Sequence, residues 1–474
     1  MIRIPDGLKH TLLYGSSIAL MKGVSLLMLP FIAHHLSPDE FGRLEVISTL
    51  AVIGSVLVGM GLDHTLFRFA GTAKNEDQRK NLSAEIFTLS IFIGILVWVV
   101  CWLSAEFISN IIPGNPTTYE LRLIISMLAL EGCIAIPLGW LRMRNKAITF
   151  FIATTGRAFT QALLVVIFLN YNRGVEGVLE AGLISTIALA ITLSYLHIRD
   201  TGIRFNITTS KKTFIYSLPL VGSGLVAFAL NGLDRWVLAE YTSLTDVAQF
   251  SVAAKFALAM VLLMQPFSMW WSPKRFEILN GTNGHQRVAN YIAVGISLSL
   301  IIAVLVGLSA PLIIEWLMPA SFAISSEYVI ALVLVMLLRE VTELVNIGCF
   351  TGNTTLTQFS INLVTASAGI TAMFILAPTN GVWGIILALL IAQSLRLILF
   401  FLISQYFLKL PYPTKSLAFF CSISFSWIII GIKTTVIEYQ IISIVTIGIS
   451  LLMIALLLRL IPLPLAYDYR VSNR

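Results

Sequence analysis

Single basic residues interrupt several long apolar segments of this 474-residue chain. The deepest of them are Lys22, Arg157, Lys255, Arg339 and Arg396. A cation at the depth of the hydrocarbon core of a bilayer is costly, and such a side chain usually faces a hydrated cavity lined by protein. We therefore predict that these residues line one cationic cavity and that the ligand of this cavity is an anion.

Some of these cations also have simpler interpretations. An acid on a neighbouring helix would neutralise Lys22, and Lys255 lies near enough to one surface for its ammonium group to extend toward the interface. Arg157 and Arg396 have no acid within one turn of their own helix, so each is expected to meet either a ligand or a partner helix.

Carboxylates within the apolar segments have two interpretations each. Glu131 is isolated in the fourth segment, and it is predicted either to act as a protonatable coupling group or to neutralise one of the cations. Glu343 follows Arg339 by four residues, a spacing that also fits a structural ion pair on one helix. Asp234 precedes Arg235 directly, which favours a local salt bridge.

The composition is that of an integral membrane protein. Hydrophobic residues make up 57% of the chain and charged residues 12%, against about 25% charged residues in soluble domains. A membrane-spanning helix needs roughly 20 apolar residues. Apolar windows bounded by charge, proline, glycine and asparagine predict fourteen helical spans, at residues 10–33, 41–67, 83–109, 121–141, 148–169, 177–198, 214–240, 247–271, 288–317, 327–349, 356–377, 381–406, 414–433 and 439–461.

The distribution of loop charges predicts the orientation in the membrane. Basic residues concentrate in alternate loops, such as 142–146 and 199–212, whereas the opposite loops carry mainly acids such as Asp39 and Glu176. Because basic loops stay in the cytoplasm, both termini are predicted to be cytoplasmic. The net charge of +7 lies at span ends and gives no indication of nucleic-acid binding.

Enzymatic function is not predicted. The longest polar stretches, around 71–81, 199–212 and 273–287, are too short for a catalytic domain. The sequence has no phosphate-binding glycine motif, no zinc signature and no nucleophile elbow, so neither a cofactor nor a metal is expected. The four cysteines lie in or beside apolar runs and are interpreted as small buried hydrophobes.

A weak internal repeat relates the two halves. Displacing the chain by about 206 residues lays 33–40 on 239–246. In each copy a short turn precedes a capped helix, with Ser37 and Glu40 in the first and Ser243 and Asp246 in the second. An even number of spans separates the copies, so the pattern predicts parallel repeats and two six-helix halves.

Motifs in both halves resemble those of bacterial polysaccharide flippases, the polysaccharide transport family of the MOP superfamily. The motifs are Leu29-Pro30, Leu36-Ser37-Pro38-Asp39-Glu40-Phe41-Gly42, Gly61-Leu62-Asp63, Arg68-Phe69, Leu233-Asp234-Arg235-Trp236-Val237-Leu238, Tyr241, Phe250 and Trp271-Ser272-Pro273. The last of these is expected to mark the exit from the eighth span.

This resemblance implies an all-α integral membrane protein of about 14 transmembrane helices. Two six-helix lobes, 1–200 and 201–406, would be related by a pseudo-two-fold axis along the membrane normal, and 407–474 would add two helices and a cytoplasmic tail. Lys22 and Lys255 fall on spans that contribute basic residues to the cavity of the lipid II flippase. Some relatives carry arginine where this chain has Lys22, and lysine lacks the bidentate fork of arginine.

The resemblance also implies an activity. Such proteins move undecaprenyl-pyrophosphate-linked oligosaccharide, as in O-antigen or lipopolysaccharide assembly, from the inner to the outer leaflet of the bacterial cytoplasmic membrane by alternating access. The implied partners are this lipid-linked cargo, the bilayer, and the polymerase and chain-length machinery. Three alternatives stay open: a lipid II flippase, a MATE-like antiporter of cationic drugs, and an intramembrane enzyme acting on lipid-linked sugars.

Overall fold

The computed structural model describes residues 6–59, 61–71, 73–351, 356–432 and 437–461, and within these residues it is helical with short connections and no β-strand. The chain divides into two compact units, Met1–Ala248 and Gln249–Arg474. The first unit extends beyond the predicted lobe boundary at residue 200, because the helices that follow this boundary pack on earlier helices of the same unit. The predicted boundaries at 200 and 406 stay predictions.

The first unit contains the helices that precede the second repeated turn, at 239–246, and the start of the helix that follows this turn. Its described helices are α1 (Asp6–His35), α2 (Pro38–Gly59), α3 (Leu62–Gly71), α4 (Glu76–Leu103), α5 (Ala105–Ile111), α6 (Thr118–Ala129), α7 (Glu131–Met143), α8 (Ala147–Asn170), α9 (Gly174–Thr201), α10 (Ile207–Asn231), α11 (Leu233–Tyr241) and α12 (Leu244–Leu279).

The second unit continues α12 and adds the carboxy-terminal helices. Its described elements are α13 (Gly284–Leu317), α14 (Ser325–Val345), α15 (Leu356–Phe407), α16 (Thr414–Ile432), α17 (Ile437–Leu457) and short 3-10 turns at Ala320–Phe322 and Asn346–Phe350. Phe420 of α16 and Leu451 of α17 are fully buried in a core that includes Leu300 and Val304 of α13. The last two helices are therefore packed onto the second unit.

Eleven helices in the described part of the chain are long and apolar enough to cross a membrane. One of them, Leu356–Phe407, has a non-helical residue at Gly381 (φ 53°, ψ −127°) and covers two of the predicted spans. The predicted spans 214–240 and 327–349 correspond to α10 with α11 and to α14, which do not belong to these eleven. The total of fourteen crossings stays a prediction.

Several predicted spans are interrupted, and an acid follows each interruption. The breaks separate α2 from α3, α4 from α5, α6 from α7, and α10 from α11. The first turn after each break contains one of the acids Asp63, Glu106, Glu131 and Asp234. The N-terminal end of a helix carries partial positive charge, which stabilises a nearby carboxylate by about 0.3–1 kcal/mol. These carboxylates are therefore partly stabilised by the helices that begin beside them.

The breaks do not coincide with the prolines of the predicted spans. Pro30, Pro137, Pro219 and Pro266 all lie inside continuous helices. One break has instead a glycine with positive φ, Gly61 (φ 60°), a backbone conformation that glycine adopts without steric cost. Pro273 also lies inside α12, which continues to Leu279. The helix therefore extends beyond 271–273, and the expectation that the eighth span leaves the membrane there stays a prediction.

The caps predicted for the repeated turns are present in the structure. The Ser37 amide donates to Glu40 Oε2 (2.9 Å) and the Glu40 amide donates to Ser37 Oγ (3.3 Å). In the second copy, the Ser243 amide donates to Asp246 Oδ2 (3.3 Å) and the Asp246 amide to Ser243 Oγ (3.0 Å). Both helices therefore begin with a reciprocal capping box, which satisfies amides that a helix leaves without partners.

Candidate functional site

A buried ion pair joins α11 to α2 within the first unit. Arg235 Nη1 lies 2.9 Å from Asp234 Oδ1, and Arg235 Nε lies 3.9 Å from Glu45 Oε2. Only 7% of either carboxylate side chain is exposed. The indole of Trp236 donates to the Val46 carbonyl at 3.3 Å and so holds the same two helices together. Two acids therefore share one arginine here.

A second polar group lies where α7, α8 and α9 pack together. Arg157 Nη2 donates to Thr186 Oγ1 at 3.1 Å, and Arg157 also interacts electrostatically with Glu131 on α7. The Nε of Arg157 is buried and has no hydrogen-bond acceptor among the described residues. Arg157 therefore meets partner helices and also keeps one donor for a further ligand.

Lys22 lies on an exposed part of α1. The helix is anchored on α8 by a 2.5 Å hydrogen bond between the hydroxyls of Ser17 and Thr154. At 3.6 residues per turn, Lys22 points about 140° away from Ser17 around the helix axis. The ammonium group is thus directed away from this helix–helix contact.

A polar group of the second unit centres on Glu343 of α14. Arg396 Nη2 lies 2.8 Å from Glu343 Oε1, and Arg396 Nε donates to Asn362 Oδ1 at 3.0 Å. Asn346 Nδ2 donates to Glu343 Oε2 at 3.0 Å, while Asn346 Oδ1 accepts from Arg275 Nη1 at 3.2 Å. These bonds connect α12, α14 and both halves of α15.

Two further predicted cations also belong to the second unit. Arg339 is half-buried on α14 and interacts electrostatically with the buried acid Glu340. Lys255 is half-buried on α12 between the buried residues Ala254 and Phe256. The predicted cations are therefore divided, with Lys22 and Arg157 in the first unit and the other three in the second. One shared cavity for all five stays a prediction.

Sequence reasoning missed several members of these groups. Arg275 looked like a loop cation beside Lys274, but the continuation of α12 past Pro273 brings it to Asn346. Asn346 and Asn362 are neutral, so the pattern of charged residues within the spans did not indicate them. The available signal was their polarity, since an amide inside an apolar segment needs a hydrogen-bond partner.

The arrangement suits the binding of anions more than reaction chemistry. Guanidinium groups with fixed positions form strong charge-assisted hydrogen bonds to phosphate or carboxylate oxygens. Within the described residues, no group of histidine, cysteine and acidic side chains could hold a metal ion. The half-buried arginines Arg157, Arg275 and Arg396 therefore offer cationic donors held by neutral amides and hydroxyls.

A family model described as "Polysaccharide biosynthesis protein" matches residues 8–279, which is more than half of the chain. The chain belongs to this family. Among curated proteins, the succinoglycan biosynthesis transport protein ExoT of Rhizobium meliloti (strain 1021) is 22% identical over 242 residues, 50% of this chain and 46% of that protein. This family member therefore spans about half the length of that relative in the alignment.

Solved structures of transporters share the fold of this family member. The lipid II flippase MurJ in an inward closed conformation covers 98% of this chain and all of its own, with a TM-score of 0.73 and 15% identity. A MATE multidrug transporter of the MOP superfamily, facing inward, covers 83% of this chain and 94% of its own, with a TM-score of 0.62 and 15% identity. The predicted all-helical membrane fold and the resemblance to polysaccharide flippases are confirmed.

Proposed function

We propose that this protein moves undecaprenyl-pyrophosphate-linked oligosaccharide across the bacterial cytoplasmic membrane from the inner to the outer leaflet. The observation that carries the proposal is the half-buried guanidinium of Arg157, with its buried Nε, within a member of the polysaccharide biosynthesis family. Its Nε lacks an acceptor among the described residues, and an anionic head group would provide one. The family match and the transporter fold support the same conclusion.

The physical problem of this transport is the charged head group. A diphosphate cannot cross about 30 Å of hydrocarbon unaided. Fixed guanidinium and ammonium groups replace part of its lost hydration with charge-assisted hydrogen bonds. We assign this task to Lys22, Arg157, Lys255, Arg339 and Arg396, and we expect the oligosaccharide to follow the head group.

The polyprenyl tail needs an apolar surface. A cavity of about 570 Å³ lies among α13, α14, α15, α16 and α17, and residues such as Gly307, Ile330, Phe425 and Ile444 line it. Its lining is mostly aliphatic and aromatic, which suits an isoprenoid chain. We propose that the last two helices hold part of the tail there while the head group crosses.

The source of the driving force is a separate question. Glu131 and Asp234 interact with Arg157 and Arg235 respectively, so both serve first as ion-pair acids in this proposal. Either could exchange a proton when its arginine binds the cargo. We place both termini in the cytoplasm, as the loop charges predict, and expect a polymerase to consume the delivered repeat units.

A lipid II flippase is the second candidate. It is favoured by the 98% coverage of this chain and the TM-score of 0.73 with MurJ. Export of cationic drugs is less consistent with the half-buried arginines Arg157, Arg275 and Arg396, which would repel a cationic ligand. The two flippase candidates differ in the lipid-linked sugar that accumulates when the protein is absent.

The test combines gene deletion with variants that restore or fail to restore transport. Deletion should remove the surface polymer and cause its lipid-linked repeat unit to accumulate in the membrane. Wild-type protein should reverse both effects, whereas Arg157→Gln should lower transport about tenfold or more, since a charged hydrogen bond contributes about 1.5–3 kcal/mol.

Arg204→Gln is the matched control, because Arg204 is exposed in the connection between α9 and α10. It should support transport at the wild-type level. Accumulation of lipid II instead of the polymer's repeat unit would favour the second candidate. Normal surface polymer in the deletion strain, with neither lipid-linked intermediate accumulating, would contradict both.

A further inference from the structure

One carboxylate in the second unit is shared by two arginines from different helices. Glu343 Oε1 accepts from Arg396 Nη2 at 2.8 Å, and Glu343 also interacts electrostatically with Arg275. Asn346 bridges the two by donating to Glu343 Oε2 and accepting from Arg275 Nη1. The carboxylate is thus bonded to one guanidinium group directly and connected to the second through Asn346.

The acid is the accessible member of this group. Half of the Glu343 side chain is exposed, against 13% of Arg396. The glutamate can therefore rotate away from the pair without unfolding its helix, because its outer side is unobstructed. When the Glu343 side chain rotates away, a space that a ligand can enter remains beside the two guanidinium groups.

The arginines are held in place by contacts that do not involve Glu343. Arg396 Nε is bonded to Asn362, and its guanidinium lies 5.3 Å from the centre of the Phe400 ring. The Arg275 guanidinium lies 4.8 Å from the centre of the Phe350 ring and 5.0 Å from that of Phe276. Such cation–π contacts fix the planes of both groups. The cationic site would therefore persist when Glu343 leaves it.

The site also has an unused donor. The Nε of Arg275 is buried and has no hydrogen-bond acceptor among the described residues. A carboxylate offers only two oxygens, and both are already bonded. A diphosphate offers more oxygens and more charge, so it can satisfy donors that Glu343 leaves unpaired.

We propose that Glu343 is a resident anion that selects doubly charged diphosphate lipids over the singly charged phosphodiester lipids of the bilayer. This inference rests on the proposed function. A phosphodiester head group replaces one negative charge with another and gains little. A diphosphate brings an additional charge and out-competes the carboxylate. Selectivity then arises because a phosphodiester lipid must displace Glu343 without gaining a stronger interaction.

Such selection is needed because the competing bilayer lipids are far more concentrated than the cargo. Phosphodiester lipids such as phosphatidylglycerol vastly outnumber any lipid-linked repeat unit in a bacterial membrane, and an open pair of arginines would bind them. A built-in competitor lowers the net charge of the two arginines from +2 to +1, and a bilayer lipid must displace it in order to bind. Competition by Glu343 also lowers the affinity of the site for the cargo, which favours release of the cargo after crossing.

The experiment measures binding of geranylgeranyl diphosphate to the full chain in nanodiscs. The bilayer is either phosphatidylcholine alone or equal parts of phosphatidylcholine and phosphatidylglycerol. For the wild type, the dissociation constant should be nearly the same in both. For Glu343→Gln, it should be several-fold tighter in phosphatidylcholine and about tenfold weaker when phosphatidylglycerol is added.

Two variants serve as controls. Glu277→Gln makes the same change at an exposed position on α12 and should behave as the wild type. Glu343→Asp keeps the charge and should stay insensitive to phosphatidylglycerol, which separates loss of the anion from a general disturbance of packing. If Glu343→Gln is as insensitive to phosphatidylglycerol as the wild type, the selection role is wrong.

Failure of the proposed function gives a different result. In that case the wild type would bind geranylgeraniol, which lacks the diphosphate, as tightly as geranylgeranyl diphosphate. Diphosphate-dependent binding by the wild type, together with an insensitive Glu343→Gln, would leave the proposed function standing and overturn only the role of Glu343.

Discussion

Thr245 Oγ1 donates a 2.6 Å hydrogen bond to Asp39 Oδ1, and the two residues are 206 positions apart in the sequence. This separation equals the displacement that relates the two repeated turns, so equivalent positions of the repeat contact each other. Equivalent positions meet in this way close to an axis of two-fold symmetry. The first turns of α2 and α12 are therefore joined by a direct hydrogen bond.

The same two turns approach closely at Gly42. A Cβ at this position would lie 1.9 Å from the Leu244 carbonyl oxygen, which is a backbone atom with little freedom to move. We predict that Gly42→Ala lowers the free energy of unfolding by about 1–3 kcal/mol, as overpacking does elsewhere. Thermal unfolding of the purified protein measures this change.

Gly222→Ala is the control for this prediction, because a Cβ there would meet nothing within 4 Å. It should leave the melting temperature unchanged or raise it, since alanine favours a helix by up to about 1 kcal/mol over glycine. Equal effects of the two substitutions would contradict the close approach of the turns.

Arg235 neutralises two buried acids. We expect Arg235→Gln to destabilise the first unit by about 3–5 kcal/mol, because it leaves Glu45 and Asp234 without their shared cation. Adding Glu45→Gln should recover part of this loss by removing one of the uncompensated charges. Chemical denaturation of both single variants and the double variant gives the comparison. If Glu45→Gln changes the free energy of unfolding by the same amount with and without Arg235, the two side chains are not coupled.

Lys22 and Arg339 are predicted to contact the cargo. Lys22→Ala and Arg339→Ala should insert and fold normally but abolish the surface polymer. Immunoblots of membranes measure the amount of each variant, and polymer staining of the cell surface measures transport. Full polymer display by either variant at normal abundance would exclude that residue from the transport path.

Local properties of the chain determined much of the fold. The apolar windows predicted where the helices lie, because a span must satisfy its own backbone hydrogen bonds and expose apolar side chains to lipid. The caps at Ser37 and Ser243 were likewise predictable, since a capping box needs only residues three positions apart. These features depend on neighbours in the sequence and on little else.

Tertiary structure decided which charges pair with which. Glu343 has Arg339 four residues away, yet its described ion pair is with Arg396 on another helix. Arg275 lies in the site because α12 continues through Pro273, where the proline suggested an exit from the membrane. Spacing along one helix cannot specify such partners, because helix packing brings together residues that are distant in the sequence. The sequence alone therefore determined a membrane transporter with cations inside its apolar segments, and the packing of its helices decided which carboxylates neutralise them.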